Sequence, residues 1–239
     1  MRRYHAHQGN ALFIILIAVA LFAALSYAIT SSSRNEGSID KESASLQAAA
    51  ILNYTATVST AVQRMHLSGV GENDFCFDHP GWGHTNYDHA GCTNNANRLF
   101  HTDGGGVVFQ QDMAAMGGDF FYTGHIVIAE VGTAAPSWNS PLGSELVMVA
   151  PIENKEVCMQ INDGLGIINY RNHWQLGTRV PHDPANPSSG TGFAGSYIAN
   201  VTIDGQYNEL VGKMSGCYTL SSSPNASTQM YYYHLLHQR

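Results

Sequence analysis

Charged side chains are scarce in this chain, making up 12% of its 239 residues. Its 11 lysines and arginines form no cluster beyond Arg2-Arg3 and are outnumbered by 18 acidic residues, for a formal charge of −7. Phosphate binding needs clustered basic groups, so nucleic acid is excluded as a partner. The spacings of common catalytic sites are missing too: there is no His-Glu-x-x-His, no Gly-x-Ser-x-Gly, no Walker-type loop and no paired catalytic carboxylates. The reading is therefore of a chain that is not an enzyme, with no catalytic, cofactor-binding or metal residue assigned. No Cys-x-x-Cys occurs, which argues against a redox motif or a zinc ribbon. No repeat is visible. What is plentiful is glycine, 24 residues of it, with many Asn, Ser and Thr, so the chain reads as loop-rich and polar without being charged. Apolar residues reach 44%, enough for one core and too many for disorder.

Most of the long-range information lies in the first thirty residues. Arg2 and Arg3 precede a short polar segment that ends in Gly9-Asn10, and an unbroken apolar run follows from Ala11 to Ile29. As a helix that run is about 28 Å long, close to the roughly 30 Å of a bilayer's hydrocarbon core. The basic flank lies ahead of it, so positive-inside bias leaves the N-terminus in the cytoplasm and exports everything after Thr30. Three readings stand. Ser26-Tyr27-Ala28 fits the cleavage site of an ordinary secretory signal; the run fits an uncleaved anchor; and Gly9 directly ahead of it fits a prepilin-type leader.

In the segment Gly9-Asn10-Ala11-Leu12-Phe13-Ile14-Ile15-Leu16-Ile17-Ala18-Val19-Ala20, and in the long helix then leading into a cysteine-containing domain, the chain resembles the type IV pilin and type II secretion pseudopilin families. It also looks like a group of pseudopilin-like bacterial proteins with the same Asn-Ala-Leu-Phe start. The resemblance covers about the first 65 residues well and the rest in outline. It implies a leader over residues 1–9, cleaved between Gly9 and Asn10 by a prepilin peptidase, and methylation of the new N-terminus. It implies further a transmembrane and assembly helix over 10–30, inner-membrane lipid and other pilin or pseudopilin subunits as partners, and a place in a cell-envelope filament. Two positions depart from the pattern. The first mature residue is Asn10 where Phe or Met is usual, and Ile14 stands where the family carries a glutamate that pairs with a neighbour's amine. The second departure points to a minor or tip subunit. The alternative is an exported or membrane-anchored binding protein or enzyme whose N-terminus is only an export device.

Farther along, Ser31 to Ser38 interrupts the apolar pattern and predicts a break, because Ser, Asn and Gly37 all disfavour a helix interior. Asp40 is the expected cap of a new helix, with Glu42 in its first turn. Ile51, Tyr54, Val58, Val62 and Met65 share one helical face, and the helix is expected to end near Leu67-Ser68-Gly69. Beyond it the period shortens. Val107–Gln111, Phe120–Val131, Glu145–Val149, Tyr197–Ile203, Cys217–Leu220 and Met230–Leu236 read as strands. Pro151 to Asp163 reads as a helix with Pro151 in its first turn and Gly164 closing it in the left-handed conformation. Gly177 to Gly195 reads as a surface loop. The expected fold is α+β: a long membrane helix continuing into an amphipathic helix packed on a mainly antiparallel sheet with long loops. Its segments are a leader over 1–9, a membrane helix over 10–30, a break and amphipathic helix over 31–68, and an exported domain over 69–239.

Four cysteines on the exported side imply two disulfides, and three pairings are open. Cys76 with Cys92 and Cys158 with Cys217 is favoured, since the first two share a loop-rich segment and the second pair ties the internal helix to a late strand. The segment Asp78 to His89 is the main chemical candidate. His84, Asp88 and His89 offer imidazole and carboxylate donors to a divalent metal, but their spacing matches no known site type, and solvated histidines between two cysteines are the stronger reading. Asn53, Asn200 and Asn225 each begin a glycosylation pattern that carries little meaning in a bacterium.

Overall fold

The computed structural model describes residues 10–32, 36–81, 87–111, 113–132, 143–168, 192–197, 201–203, 210–219 and 230–239. It divides into two compact units, Met1–Ser43 and Ala44–Arg239.

In the first unit α1 spans Asn10–Ser32. Leu, Ile and Ala without Gly or Pro favour the helix, and every side chain from Phe13 to Tyr27 is exposed, the large apolar ones by 43% (Ile17) to 77% (Tyr27). Those described side chains cover about 22 Å of rise, and among the described residues no helix is long and apolar enough to cross a membrane. The next helix, α2, runs Glu36–Leu67. It starts ahead of Asp40, which therefore lies inside the helix and not at its cap as expected. Gly37 costs about 1 kcal/mol there, a small charge against a 32-residue helix whose later turns are packed.

From Ala44 onward α2 belongs to the second unit. Ile51, Tyr54, Val58, Val62 and Met65 are all buried, and Ala44, Ala48, Thr55 and Ala61 widen the stripe. Thr55 lies 3.2 Å from the Tyr232 hydroxyl, and the Tyr54 ring is 5.0 Å from that of Phe120, so this face meets the sheet. The helix ends with Gly69 N–H on the His66 carbonyl and Val70 N–H on that of Met65.

The sheet has five strands in the order β3-β1-β2-β5-β4: β1 Phe121–Ile128, β2 Glu145–Ile152, β3 Val201–Ile203, β4 Ser215–Thr219 and β5 Met230–His237. β1, β2, β5 and β4 pair antiparallel, and β3 adds a parallel edge to β1. β1 and β2 are buried along their whole length; after Glu145, β2 reads as a continuous apolar run and not as an alternating one, whereas Thr123, Gly124 and His125 interrupt that of β1. The fold is thus α+β with a mainly antiparallel sheet.

Two expectations fail here for identifiable reasons. Val107–Gln111 joins no strand: Val107 donates to Leu99 and the Val108 carbonyl accepts from the Tyr54 hydroxyl, so its backbone bonds go to a turn and a side chain. Pro151 is a β2 residue opposite Tyr231, not part of a helix. Its carbonyl accepts from Gly117 beyond the last β1 pair, Phe121 with Val149, so its missing N–H points where the ladder has ended. The helix that follows, α3, is Lys155–Gly164, capped by the Asn154 side chain on Glu156 N–H at 2.9 Å. Gly166, not Gly164, takes the left-handed conformation, φ +67°, while Ile167 N–H reaches the Asn162 carbonyl at 2.8 Å. Most of the predicted loop Gly177–Gly195, and Leu220, lie outside the described residues.

Candidate functional site

Gly9 lies outside the described residues, and Asn10 is the first residue of α1. The structure pairs Cys76 with Cys92 and Cys158 with Cys217, with Cα atoms 5.1 and 5.5 Å apart. Cys76 carries a bridge to Arg98, and Cys158 on α3 reaches Cys217 on β4.

His79 and His89 both hold local backbone structure. His89 Nδ1 accepts the Gly91 N–H at 3.1 Å, so its Nε2 carries the proton donated to the Phe75 carbonyl at 2.9 Å. Both ring nitrogens are occupied, leaving no lone pair for a metal. Gly195 presses its backbone against the same ring, and Phe193 meets it edge-on at 6.1 Å. His79 accepts the Gly81 N–H and stacks on Phe109 at 4.1 Å. Asp88 is exposed and His84 lies outside the described residues; among the described residues no three His, Cys, Asp or Glu are grouped to hold a metal.

Two carboxylates that the sequence reading passed over are better placed. Glu72 faces Arg239 Nε at 3.0 Å and His237 Nε2 at 3.3 Å, and the Arg239 guanidinium covers the Tyr197 ring at 4.1 Å. Partial burial favours the protonated form of Glu72, but the bonds from His237 and Arg239 outweigh it and hold its pKa below the usual value. Glu145 is fully buried at the start of β2. One oxygen accepts the Ile128 N–H at 3.2 Å, and the other has no hydrogen bond among the described residues. Burial pushes its pKa up to about 7 against the pull of that N–H and of Arg239. The one signal available in the sequence was a charged residue opening an apolar run.

A third cluster fastens α2 to the sheet. Thr55 donates to the Leu52 carbonyl at 3.0 Å, which leaves its oxygen to accept the Tyr232 hydroxyl at 3.2 Å. Tyr232 in turn lies 3.3 Å from His234 Nδ1, and burial pushes His234 down to about 4. None of these groups opens onto the groove of about 930 Å³ between α2 and the segment Thr102–Met113. That groove is lined by neutral side chains with Arg64 at one end, whose guanidinium is bonded to the Gly105 carbonyl. Among the described residues that line it there is no acid–base pair.

Compared with protein-family models, with curated proteins and with solved structures, the chain matches none.

Proposed function

We propose that this chain is a structural subunit, minor or tip-like, of a type IV pilus or secretion pseudopilus. In this reading α1 holds it in the inner membrane and the disulfide-containing unit lies on the exported side. The observation that carries the proposal is the surface of α1, where every described side chain from Phe13 to Tyr27 is exposed and no face is charged. A helix apolar all round is stable in a protein core or in hydrocarbon, and the full run Ala11–Ile29 has the length for the second. Two disulfides suit an oxidising compartment beyond that membrane. With Ile14 in place of a carboxylate, α1 brings only van der Waals packing to a neighbour, helped by Ala18, Ala20, Ala23 and Ala24. That favours a subunit added in low copy beside a major one.

Intact mass and N-terminal sequencing of protein from its native envelope test the reading. A chain beginning at Asn10, methylated, is expected, and one beginning at Ile29 would leave a soluble exported protein and overturn it. Expression with the assembly machinery but no other pilin tests the minor role, since long homopolymeric filaments would show a major subunit.

A further inference from the structure

Three segments distant in sequence close into a ring of contacts at one end of the sheet. The Glu72 carboxylate meets Arg239 Nε at 3.0 Å and His237 Nε2 at 3.3 Å, and the Arg239 guanidinium lies 4.1 Å from the centre of the Tyr197 ring. The Tyr197 hydroxyl completes the ring by donating to the Glu72 carbonyl at 3.2 Å. The strap 237–239 thus ties both the turn Glu72–Asp74 and the segment 192–197 to the end of β5. Against this strap lies a fully buried acid, Glu145. Gly132 has φ +86°, and the place a Cβ would take on it is 2.6 Å from Glu145 Oε1 and 3.1 Å from the Arg239 main-chain oxygen. The two oxygens converge on one spot, and Oε1 has no hydrogen bond among the described residues. A carboxylate there sets a charge already out of water against a second acceptor, whereas a carboxylic acid offers that acceptor a donor.

We propose that the strap is a proton-controlled clasp: with a proton on Glu145 it closes over Glu72 and Tyr197, and loss of that proton lifts it and frees both segments. The neighbouring elements bring Ile128 N–H from β1, the exposed Glu130 from the turn after it, and His237 and Arg239 from the end of β5. His66 of α2 stands behind them, its ring 4.5 Å from that of His237. Arg239 is the charged side chain among them that pulls on the Glu145 carboxyl, and burial overcomes that pull. Closed, Glu145 titrates at about 7, while a carboxyl freed by the lifted strap returns toward 4.5. Opening therefore rises about tenfold per pH unit between those values and levels off above about 7. Glu72 acts the other way, because its lowered pKa weakens the clasp only on stronger acidification. The clasp is tightest in mildly acidic surroundings. A proton on His237 beside Glu72 would tighten it in the same direction, so the test must separate His237 from Glu145.

Amide exchange of the full chain in detergent micelles, corrected for the intrinsic pH dependence of exchange, makes that separation. The reporters are Asp74 N–H, bonded to the Gly71 carbonyl, and Phe193 N–H, bonded to that of Tyr122. Cys217 N–H, held by Asn162 on the edge strand β4, reports the whole fold. In the parent the protection of both reporters is expected to fall by up to about a hundredfold from pH 5 to pH 7. Low urea is expected to leave both unchanged while it lowers the protection of Cys217, since lifting a short strap exposes little surface. Glu145→Gln keeps a donor toward the Arg239 oxygen at any pH and is expected to hold both reporters at their pH 5 level. Arg239→Ala is expected to leave both weakly protected at either pH. Reporters that follow Cys217 in urea would show the whole fold loosening, and a fall that survives in Glu145→Gln would assign it to His237. Either result, or no fall in the parent, overturns the clasp.

Discussion

Asn162 on α3 binds Cys217 on β4 with both halves of its side-chain amide. Its oxygen accepts the Cys217 N–H at 2.8 Å and its nitrogen donates to the Cys217 carbonyl at 3.2 Å. The amide thus stands in for the next strand at the outer edge of the sheet, where β4 is last in order. Asn162→Ala leaves two buried backbone groups unpaired. The expected cost is about 2–4 kcal/mol, read as a lower denaturation midpoint with an unchanged slope in urea.

The disulfide beside that contact spans 59 residues of sequence. In the chain-entropy picture a loop of this size contributes roughly 4 kcal/mol. The double variant Cys158→Ala, Cys217→Ala is expected to lose about that much stability, and more than Cys76→Ala, Cys92→Ala, whose loop spans 16 residues. Thermal denaturation of the two double variants side by side checks the order.

Glu145 makes stability depend on pH in an unusual direction. Its folded pKa of about 7 lies above the ordinary 4.5, so the folded state holds a proton that the unfolded chain gives up. Its contribution is full below about pH 4.5 and lost as pH rises through about 7. At 1.36 kcal/mol per unit the span is about 3 kcal/mol. Glu145→Gln is expected to gain stability relative to the parent across that window, and a parent-to-variant difference that stays flat with pH would contradict the assignment. Glu72 runs the other way: its lowered pKa favours the fold above the unfolded value and loses that benefit on acidification.

Gly195 sits at φ +74°, and a Cβ there would lie 2.7 Å from the Asn73 carbonyl and 3.0 Å from His89 Nδ1. Gly195→Ala therefore meets both backbone strain and a clash and is expected to cost about 2–4 kcal/mol. His89→Ala, which removes the ring that joins residues 75 and 91, is expected to loosen the same junction. Faster amide exchange at Gly91 in both variants is the measurement.

Much of the second unit was legible because burial leaves a plain trace. The stripe from Ile51 to Met65 and the apolar runs that became β1, β2 and β5 all signal surfaces removed from water. Pro151 was misplaced because a proline at a strand end and a proline in a helix's first turn look alike until the neighbour of its missing N–H is known. Val107–Gln111 has the residue types of a strand but no strand beside it. The histidines of 79–89 invited a metal because sequence does not show that His89 spends both nitrogens on backbone. Glu72 and Arg239 meet across 167 residues, a pairing no local pattern encodes.

The bond between Cys158 and Cys217 also sets what a single cut does to the molecule. It closes a covalent ring that contains the end of α3, the whole of β3 and the start of β4. A peptide bond broken anywhere inside that ring opens it without releasing a fragment, so β5 stays tethered to the rest of the sheet. Nicked and uncut chains then remain single covalent molecules until a reductant is added, and damage by a protease need not become loss of the C-terminal strands.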